Sequence, residues 1–245
     1  MSKYGYITKY VNREYFIATK CGRLKFGTLS EYRNQENGPE NRFTDTAEGI
    51  SDLNVPCDGN TKNLSFVLAG MGVENVSVIG NPKQNHMIAS IKNVIDANVF
   101  CSSVGEYNHG HHHVIREKGN NTLTHYVTFD LSKFIYACER LCKCMKAYSL
   151  TVNPVKYQSR DEVILPKDLS MNDPFSDPNF ELNIFKKILF HKPKEFSYEN
   201  ENRVVILPKQ PSQGEDISPI YTKKFSTYIS THFRNAVVSS GKYSA

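Results

Sequence analysis

The sequence contains no tryptophan, no long hydrophobic run and no strong excess of charge of either sign. No apolar stretch approaches the roughly 20 residues that a membrane-spanning helix needs. The N-terminal segment also lacks the apolar core of a secretory signal peptide. We therefore expect a cytoplasmic protein whose six cysteines are thiols instead of disulfides.

The common signature motifs of enzymes are missing as well. The sequence has no P-loop, no dinucleotide-binding G-x-G-x-x-G, no G-x-S-x-G elbow and no H-E-x-x-H. This excludes the easily recognised ATPases, Rossmann enzymes, α/β-hydrolases and zincins. The net charge of +5 permits a nucleic-acid partner, but no long run of Lys or Arg indicates one.

The patterns that are present predict one mixed α+β domain over residues 1–245, with mainly antiparallel sheets and a few short helices. Residues 4–29 are expected to form a strand, a short helix over roughly 13–21 and a second strand over 24–29. Further strands are predicted at 64–69, 76–79, 98–103, 125–131, 150–157, 162–165, 221–229 and 233–238. Helices are predicted at 84–95, 132–147 and 180–191, and a long polar loop at about 33–63.

The sequence has two clusters of potential metal ligands, and we do not expect either of them to bind a metal. The histidines of His109–His113 are adjacent on one short segment, where they rarely all reach one ion, and no Cys or carboxylate lies at zinc-site spacing. We expect a polar loop there. Cys138 and Cys142 lie on the apolar stripe of the helix predicted at 132–147, so we expect them to pack in the core.

The segment Glu199-Asn200-Glu201-Asn202-Arg203 precedes a short apolar run. In a strand or an extended turn, residues i and i+2 point to the same face, so Glu199 and Glu201 would lie side by side. Two such carboxylates resist joint ionisation unless a cation such as Arg203 neutralises them. Spacing alone leaves two interpretations: a solvated turn with a surface ion pair, or a functional carboxylate pair.

Several segments together resemble known families. Leu24–Arg33, then Asp45 and Glu48-Gly49, then Phe100-Cys101-Ser102-Ser103, then Tyr198 to Arg203 resemble, in order, a bacterial and phage domain family of unknown function. The same landmarks are similar to those of the mono-ADP-ribosyltransferases, of which one class has Ser-x-Ser on a strand and Glu-x-Glu before a later strand. Ser102-Ser103 and Glu199-x-Glu201 would be those elements.

This resemblance implies an ADP-ribosyltransferase-like fold, with NAD as a substrate and a protein or nucleic acid as the acceptor, in conflict between phage and host. Glu201 would stabilise the oxocarbenium-like centre and bind the ribose, and Glu199 would orient or deprotonate the acceptor. The implied NAD-binding residues are Ser102, which would maintain the architecture of the site, Thr28, Tyr10 or Tyr32 for ring stacking, and Arg203 or Arg42 for the pyrophosphate.

Two other functions remain open at this point. The chain could be a non-catalytic sensor or inhibitor that binds a nucleotide or a protein. It could also be a metal-dependent nuclease in which Asp45, Glu48, Glu199 and Glu201 bind Mg²⁺.

Overall fold

The computed structural model describes residues 5–28, 50–57, 75–81, 86–94, 97–145, 147, 149–158, 189–207 and 228–244. The strands are β1 (Tyr6–Val11), β2 (Arg23–Leu24), β3 (Gly27–Thr28), β4 (Ile50–Cys57), β5 (Asn75–Asn81), β6 (His86–Val94), β7 (Asn98–Val104), β8 (His125–Asp130), β9 (Ser149–Pro154), β10 (Lys156–Gln158), β11 (His191–Pro193), β12 (Glu201–Leu207), β13 (Tyr228–Ile229) and β14 (Val237–Lys242). The helices are α1 (Arg13–Lys20), α2 (His109–Lys118), α3 (Leu131–Met145) and α4 (Thr231–Ala236), and a 3₁₀ helix spans Lys194–Glu199.

The main sheet has seven strands, with the order β14-β8-β1-β7-β12-β9 and with β3 also paired to β7. All of its pairs are antiparallel. β4, β6 and β5 form a separate antiparallel sheet, β2 pairs with β13, and β10 pairs with β11 in parallel. The α+β prediction with mainly antiparallel sheets is therefore confirmed.

One face of the main sheet, which we call the core face, is apolar. Alternate residues of its strands point to this face, where helices α3 and α4 cover them. The buried side chains from the sheet are Ile7, Phe100, Val127, Phe129, Val204 and Ile206, and those from the helices are Leu131, Phe134, Ala137, Cys138, Leu141, Phe233 and Ala236. The apolar stripe that predicted α3 is thus buried as expected, with Cys138 in the core and Cys142 packed against it.

The opposite face, which we call the polar face, carries Thr8, Tyr10, Ser103, Glu201 and Arg203. Residues directly opposite each other in antiparallel strands share a face, and the register pairs Thr8 with Ser103 and Ser103 with Glu201. Helix α2 and the 3₁₀ helix lie over this side of the sheet. The polar face therefore holds the two carboxylates that the sequence singled out.

Several local predictions were wrong. Residues 86–94 form strand β6 instead of a helix, because β6 pairs along its length with both β4 and β5, and this pairing overrides the helical spacing of its apolar residues. β4 lies within the predicted 33–63 loop. Residues 231–236 are helical, and the strand β14 begins only at Val237.

The predicted His109–His113 loop is helix α2. Asn108 caps this helix, because its side chain accepts a hydrogen bond from the backbone N–H of His111. The predicted strand 24–29 is divided into β2 and β3, and 150–157 is divided into β9 and β10.

Some predictions fall on residues that the structure does not describe. These are the strands at 64–69 and 162–165, most of the helix at 180–191, and the candidate residues Tyr32 and Arg42. No helix in the described part of the chain is long and apolar enough to cross a membrane. None of the five cysteines with described side chains forms a disulfide bond.

Candidate functional site

The two carboxylates occupy the junction between the 3₁₀ helix and β12. Glu199 is the last residue of the 3₁₀ helix, Asn200 has the left-handed conformation with φ 43° and ψ 49°, and Glu201 begins β12. Asn adopts this conformation more readily than most residues. The turn places both glutamates inside the protein, where Glu199 is 7% exposed and Glu201 is 4% exposed. Their proximity was predicted, but it arises from this turn and not from an extended segment.

Lys192 of β11 bridges the two carboxylates. Its Nζ lies 2.8 Å from Glu199 Oε2 and 2.9 Å from Glu201 Oε2, and the lysine itself is buried. The short parallel pairing of β11 with β10 fixes the backbone of Lys192 at this position. This contact was not predicted from the sequence, because nothing in the spacing between residues 192 and 201 indicates a shared site.

Arg203 completes a group that we call the charge cluster: Lys192, Glu199, Glu201 and Arg203. Its guanidinium is fully buried and donates through Nε to Glu201 Oε1 at 2.7 Å and through Nη2 to Glu201 Oε2 at 3.4 Å. Its Nη1 donates to the carbonyl of Leu189 at 2.7 Å. The ion pair is therefore buried, which rules out the interpretation as a solvated turn with a surface pair.

Neighbouring strands hold the backbone around the carboxylates. Ser103, which is paired with Glu201, donates its hydroxyl hydrogen to the carbonyl of Glu199 at 2.7 Å. The hydroxyl oxygen of Tyr157 in β10 accepts the backbone N–H of Glu201 at 2.8 Å. These contacts fix the direction in which both side chains leave the backbone.

The two carboxyl groups have opposite tendencies to hold a proton. Burial raises the pKa of Glu199 to about 8, although Lys192 opposes this, and the neighbouring Glu201 adds to the rise. Burial would also raise the pKa of Glu201, but Arg203 and Lys192 outweigh it and hold that pKa well below its ordinary value. Near neutral pH, Glu199 therefore carries a proton while Glu201 is ionised.

The two carboxyl groups also differ in free hydrogen-bonding capacity. Both oxygens of Glu201 accept hydrogen bonds from Arg203, and Oε2 also forms an ion pair with Lys192. Glu199 Oε1 is buried and has no hydrogen-bond partner among the described residues. A buried polar atom without a partner is unfavourable unless a water or ligand satisfies it. Glu199 is thus the member of the pair that can bind something else.

The other predicted NAD-binding residues are not gathered at this point. Ser102 is paired with Asn202 and donates to its carbonyl at 3.2 Å, so it lies on the core face, opposite to Glu201. Thr28 is buried in β3 and is paired with Asn98. The serine that supports the carboxylates is the adjacent Ser103.

Tyr10 does share the polar face with the charge cluster, but its groups are already engaged. Its hydroxyl lies 3.2 Å from His111 Nδ1, and its ring packs against the rings of His111 and His112. Burial raises the pKa of its hydroxyl, so Tyr10 keeps its proton. Among the described groups, Tyr10 therefore supports helix α2 and does not present an open ring to a ligand.

The histidines of α2 point in different directions. His112 is fully buried and its Nε2 donates to the carbonyl of Leu123 at 2.8 Å, whereas His109 and His113 contact the C-terminal residues Ser244 and Tyr243. Within the part of the chain that the structure describes, no group of three or more His, Cys, Asp or Glu side chains is arranged to hold a metal ion.

Comparison with known proteins does not assign a family or a function to this site. No protein-family model matches the chain, and no curated protein and no solved structure matches it.

Proposed function

We propose that the protein is an enzyme that cleaves the bond between ribose and nicotinamide in NAD and transfers the ADP-ribosyl group to a protein or nucleic-acid acceptor. The substrate class comes from the family resemblance of the Ser-Ser and Glu-x-Glu segments. The observation that supports catalysis is the split between the carboxyl groups: Glu199 has its pKa raised to about 8, and Glu201 has its pKa lowered. Acid–base pairs in active sites are separated in this way.

The split assigns different roles to the two residues. Glu201 is committed to Arg203 and Lys192, so it positions these cations and keeps them buried. Glu199 has the oxygen Oε1, which has no hydrogen-bond partner among the described residues, and a pKa suited to proton transfer near neutral pH. It is therefore the group that contacts the acceptor. This reverses the emphasis of the sequence-based hypothesis, which placed Glu201 at the reacting centre.

The proposed reaction breaks the bond between ribose C1′ and the nicotinamide nitrogen, and nicotinamide leaves with the bonding electron pair. A nucleophilic oxygen or nitrogen of the acceptor forms the new bond to C1′, and its proton passes to Glu199. The transition state resembles an oxocarbenium ion, as in glycoside hydrolysis. Because a general base has to be unprotonated, transfer should become faster as the pH rises and should level off above about 8.

The pyrophosphate and base contacts are proposed for other residues. Arg203 uses Nε and Nη1 within the protein, and the hydroxyl of Tyr10 contacts His111. Arg42 and Tyr32 are therefore the candidates that we retain for binding the pyrophosphate and stacking on a ring.

The test is incubation of the protein with NAD labelled in the adenylate part and with candidate protein and nucleic-acid acceptors. We expect label transfer and nicotinamide release by the wild type, and a loss of about 100-fold or more in Glu199→Gln. Glu195→Gln is the matched control, because Glu195 is exposed on the same 3₁₀ helix. Wild-type protein that releases no more nicotinamide than Glu199→Gln would refute the proposal.

A non-catalytic nucleotide- or protein-binding module is the second candidate. It is favoured by the complete pairing of Glu201, because a carboxylate that is paired within the protein can shape a binding site without taking part in a reaction. Saturable binding of NAD or a related nucleotide, with no nicotinamide released over hours, would favour this candidate.

The metal-dependent nuclease loses support, because the oxygens of Glu201 face Arg203 and Lys192 instead of a cation site.

A further inference from the structure

One of the four histidines at the start of helix α2 reaches the segment that carries Glu199. His111 Nε2 lies 2.8 Å from the carbonyl oxygen of Tyr198, and Nδ1 of the same ring lies 3.2 Å from the hydroxyl of Tyr10. A carbonyl oxygen can only accept, so Nε2 carries the hydrogen. In the neutral ring, Nδ1 then accepts the hydrogen of the Tyr10 hydroxyl. Tyr10 thus selects the tautomer that can donate to Tyr198.

The bond from His111 acts directly next to Glu199, because Tyr198 and Glu199 are consecutive. The carbonyl of Tyr198 accepts from His111, and the carbonyl of Glu199 accepts from Ser103. Two successive peptide groups are therefore held from two different elements, α2 above the sheet and β7 within it. The left-handed Asn200 follows immediately, so this turn has little freedom to relax while both bonds are present.

Burial is the first cause of the raised pKa of Glu199, and burial depends on where this turn is held. If the carbonyl of Tyr198 were released, the last turn of the 3₁₀ helix could move outward and admit water to the carboxyl group. Hydration of the carboxyl group would then favour its ionised form. A change at His111 should therefore be detected at Glu199, although no bond between their side chains is present among the described contacts.

We infer that His111 is a positioning residue, which holds Glu199 in its buried place in the charge cluster by fixing the Tyr198 carbonyl. The importance of this role for catalysis rests on the proposed function, in which Glu199 transfers the proton. The positioning itself does not need turnover and can be measured in the ligand-free protein.

Other positions provide matched controls and a rescue. His113 is on the same helix, but it contacts Tyr243 and Glu117 instead of the Tyr198 segment. His113→Phe therefore repeats the chemical change without releasing the carbonyl. His111→Gln retains an N–H donor near the position of Nε2, and His111→Phe retains a ring without any donor. Tyr10→Phe removes only the group that selects the tautomer.

The experiment is a pH titration of the full chain labelled with ¹³C at the glutamate carboxyl carbons and followed by NMR. The signal that is missing in Glu199→Gln identifies Glu199. We expect a midpoint near 8 in the wild type and in His113→Phe, and a fall of about one unit or more in His111→Phe. His111→Gln should restore most of the shift, and Tyr10→Phe should lie between His111→Phe and the wild type.

An unchanged midpoint in folded His111→Phe would overturn the inference. If that variant does not fold, the test is the titration midpoint of Glu199 in Tyr10→Phe. A midpoint equal to that of the wild type in this variant would overturn the inference as well. A lack of NAD turnover in the wild type would refute the proposed function but would leave these midpoints as they are. Conversely, unchanged midpoints in a protein that turns over NAD would refute only the role of His111.

Discussion

The two faces of the main sheet are built from the same strands but depend on different kinds of interaction. The core face is a cluster of rings, in which Phe134 lies with ring centroids 4.9 Å from Phe100 and 5.0 Å from Phe129. The polar face is a network of directional bonds, from His111 through the Tyr198 segment to the charge cluster. Packing depends on volume, whereas the network depends on particular atoms and their protons.

This difference predicts two kinds of response to mutation. Changes on the core face should lower stability by similar amounts at every pH, because the described side chains buried there include no carboxyl group and no imidazole. Changes on the polar face should have effects that vary with pH, because the buried carboxyl groups and His112 exchange protons differently in the folded and unfolded chains.

Arg203→Met should produce the largest loss of stability. The substitution leaves the buried Glu201 carboxylate with Lys192 as its remaining cation, and removal of one partner from a buried pair costs about 3–5 kcal/mol. Urea unfolding near neutral pH measures the loss. Arg140→Met on the exposed side of α3 is the control and should change stability by no more than about 0.5 kcal/mol. A loss below about 1 kcal/mol for Arg203→Met would mean that the charge cluster contributes little to folding.

Glu199→Gln should change stability in a pH-dependent manner. The folded pKa of Glu199 is raised to about 8, so the folded chain retains a proton that the unfolded chain releases above its lower, ordinary pKa. The wild type therefore loses stability from this group as the pH rises from about 4.5 to about 8. Glu199→Gln lacks this loss, so its stability relative to the wild type should improve by a few kcal/mol across that window.

Urea titrations at several pH values between 5 and 9 would measure this difference. The exposed Glu195→Gln on the same 3₁₀ helix serves as the control for removing one carboxyl group. A difference between Glu199→Gln and the wild type that stays constant with pH would contradict the raised pKa, and with it the proton-transfer role.

The sequence predicted the core face better than the polar face, for a physical reason. Helix α3 and strands β7 and β8 were found because burial of one face requires apolar residues at a regular period. Helix α2 has no such period along its histidines and was predicted as a loop. Its cap at Asn108 and the separate bonds of its histidine rings are specific contacts that a hydropathy pattern does not reveal.

The candidate site was predicted in part. The spacing of Glu199, Glu201 and Arg203 correctly indicated neighbouring carboxylates and their cation. Lys192 was missed, because its position depends on the pairing of β11 with β10. The choice of Ser102 over Ser103 depended on register, and one residue along a strand exchanges the two faces of the sheet. Register follows from long-range pairing, which a single sequence does not specify.

Phe129→Leu should produce a smaller and pH-independent loss. Phe129 is fully buried on the core face against Phe100 and Phe134, and the shorter side chain would leave a small cavity there. We expect a loss of about 1–2 kcal/mol that is equal at pH 5 and pH 9. The ¹³C midpoint of Glu199 should not move. A shift of that midpoint would show that the two faces are coupled through the sheet and would break the contrast between them.

The smallest expected effect concerns His112 on the polar side. Its ring is fully buried, its Nε2 donates to the Leu123 carbonyl, and burial lowers its pKa below the ordinary value of 6.5. The unfolded chain therefore takes up a proton at a higher pH than the folded chain does, so stability from this group is complete above about 6.5 and declines as the pH falls. We expect this decline in stability to be measurable between pH 7 and pH 5. His112→Phe, which cannot titrate, should be less stable than the wild type at pH 7 because the Leu123 carbonyl loses its donor, and this deficit should shrink at pH 5. A deficit that is equal at both values, as expected for Phe129→Leu, would place His112 with the packing residues and confine the proton-dependent part of the polar face to the charge cluster.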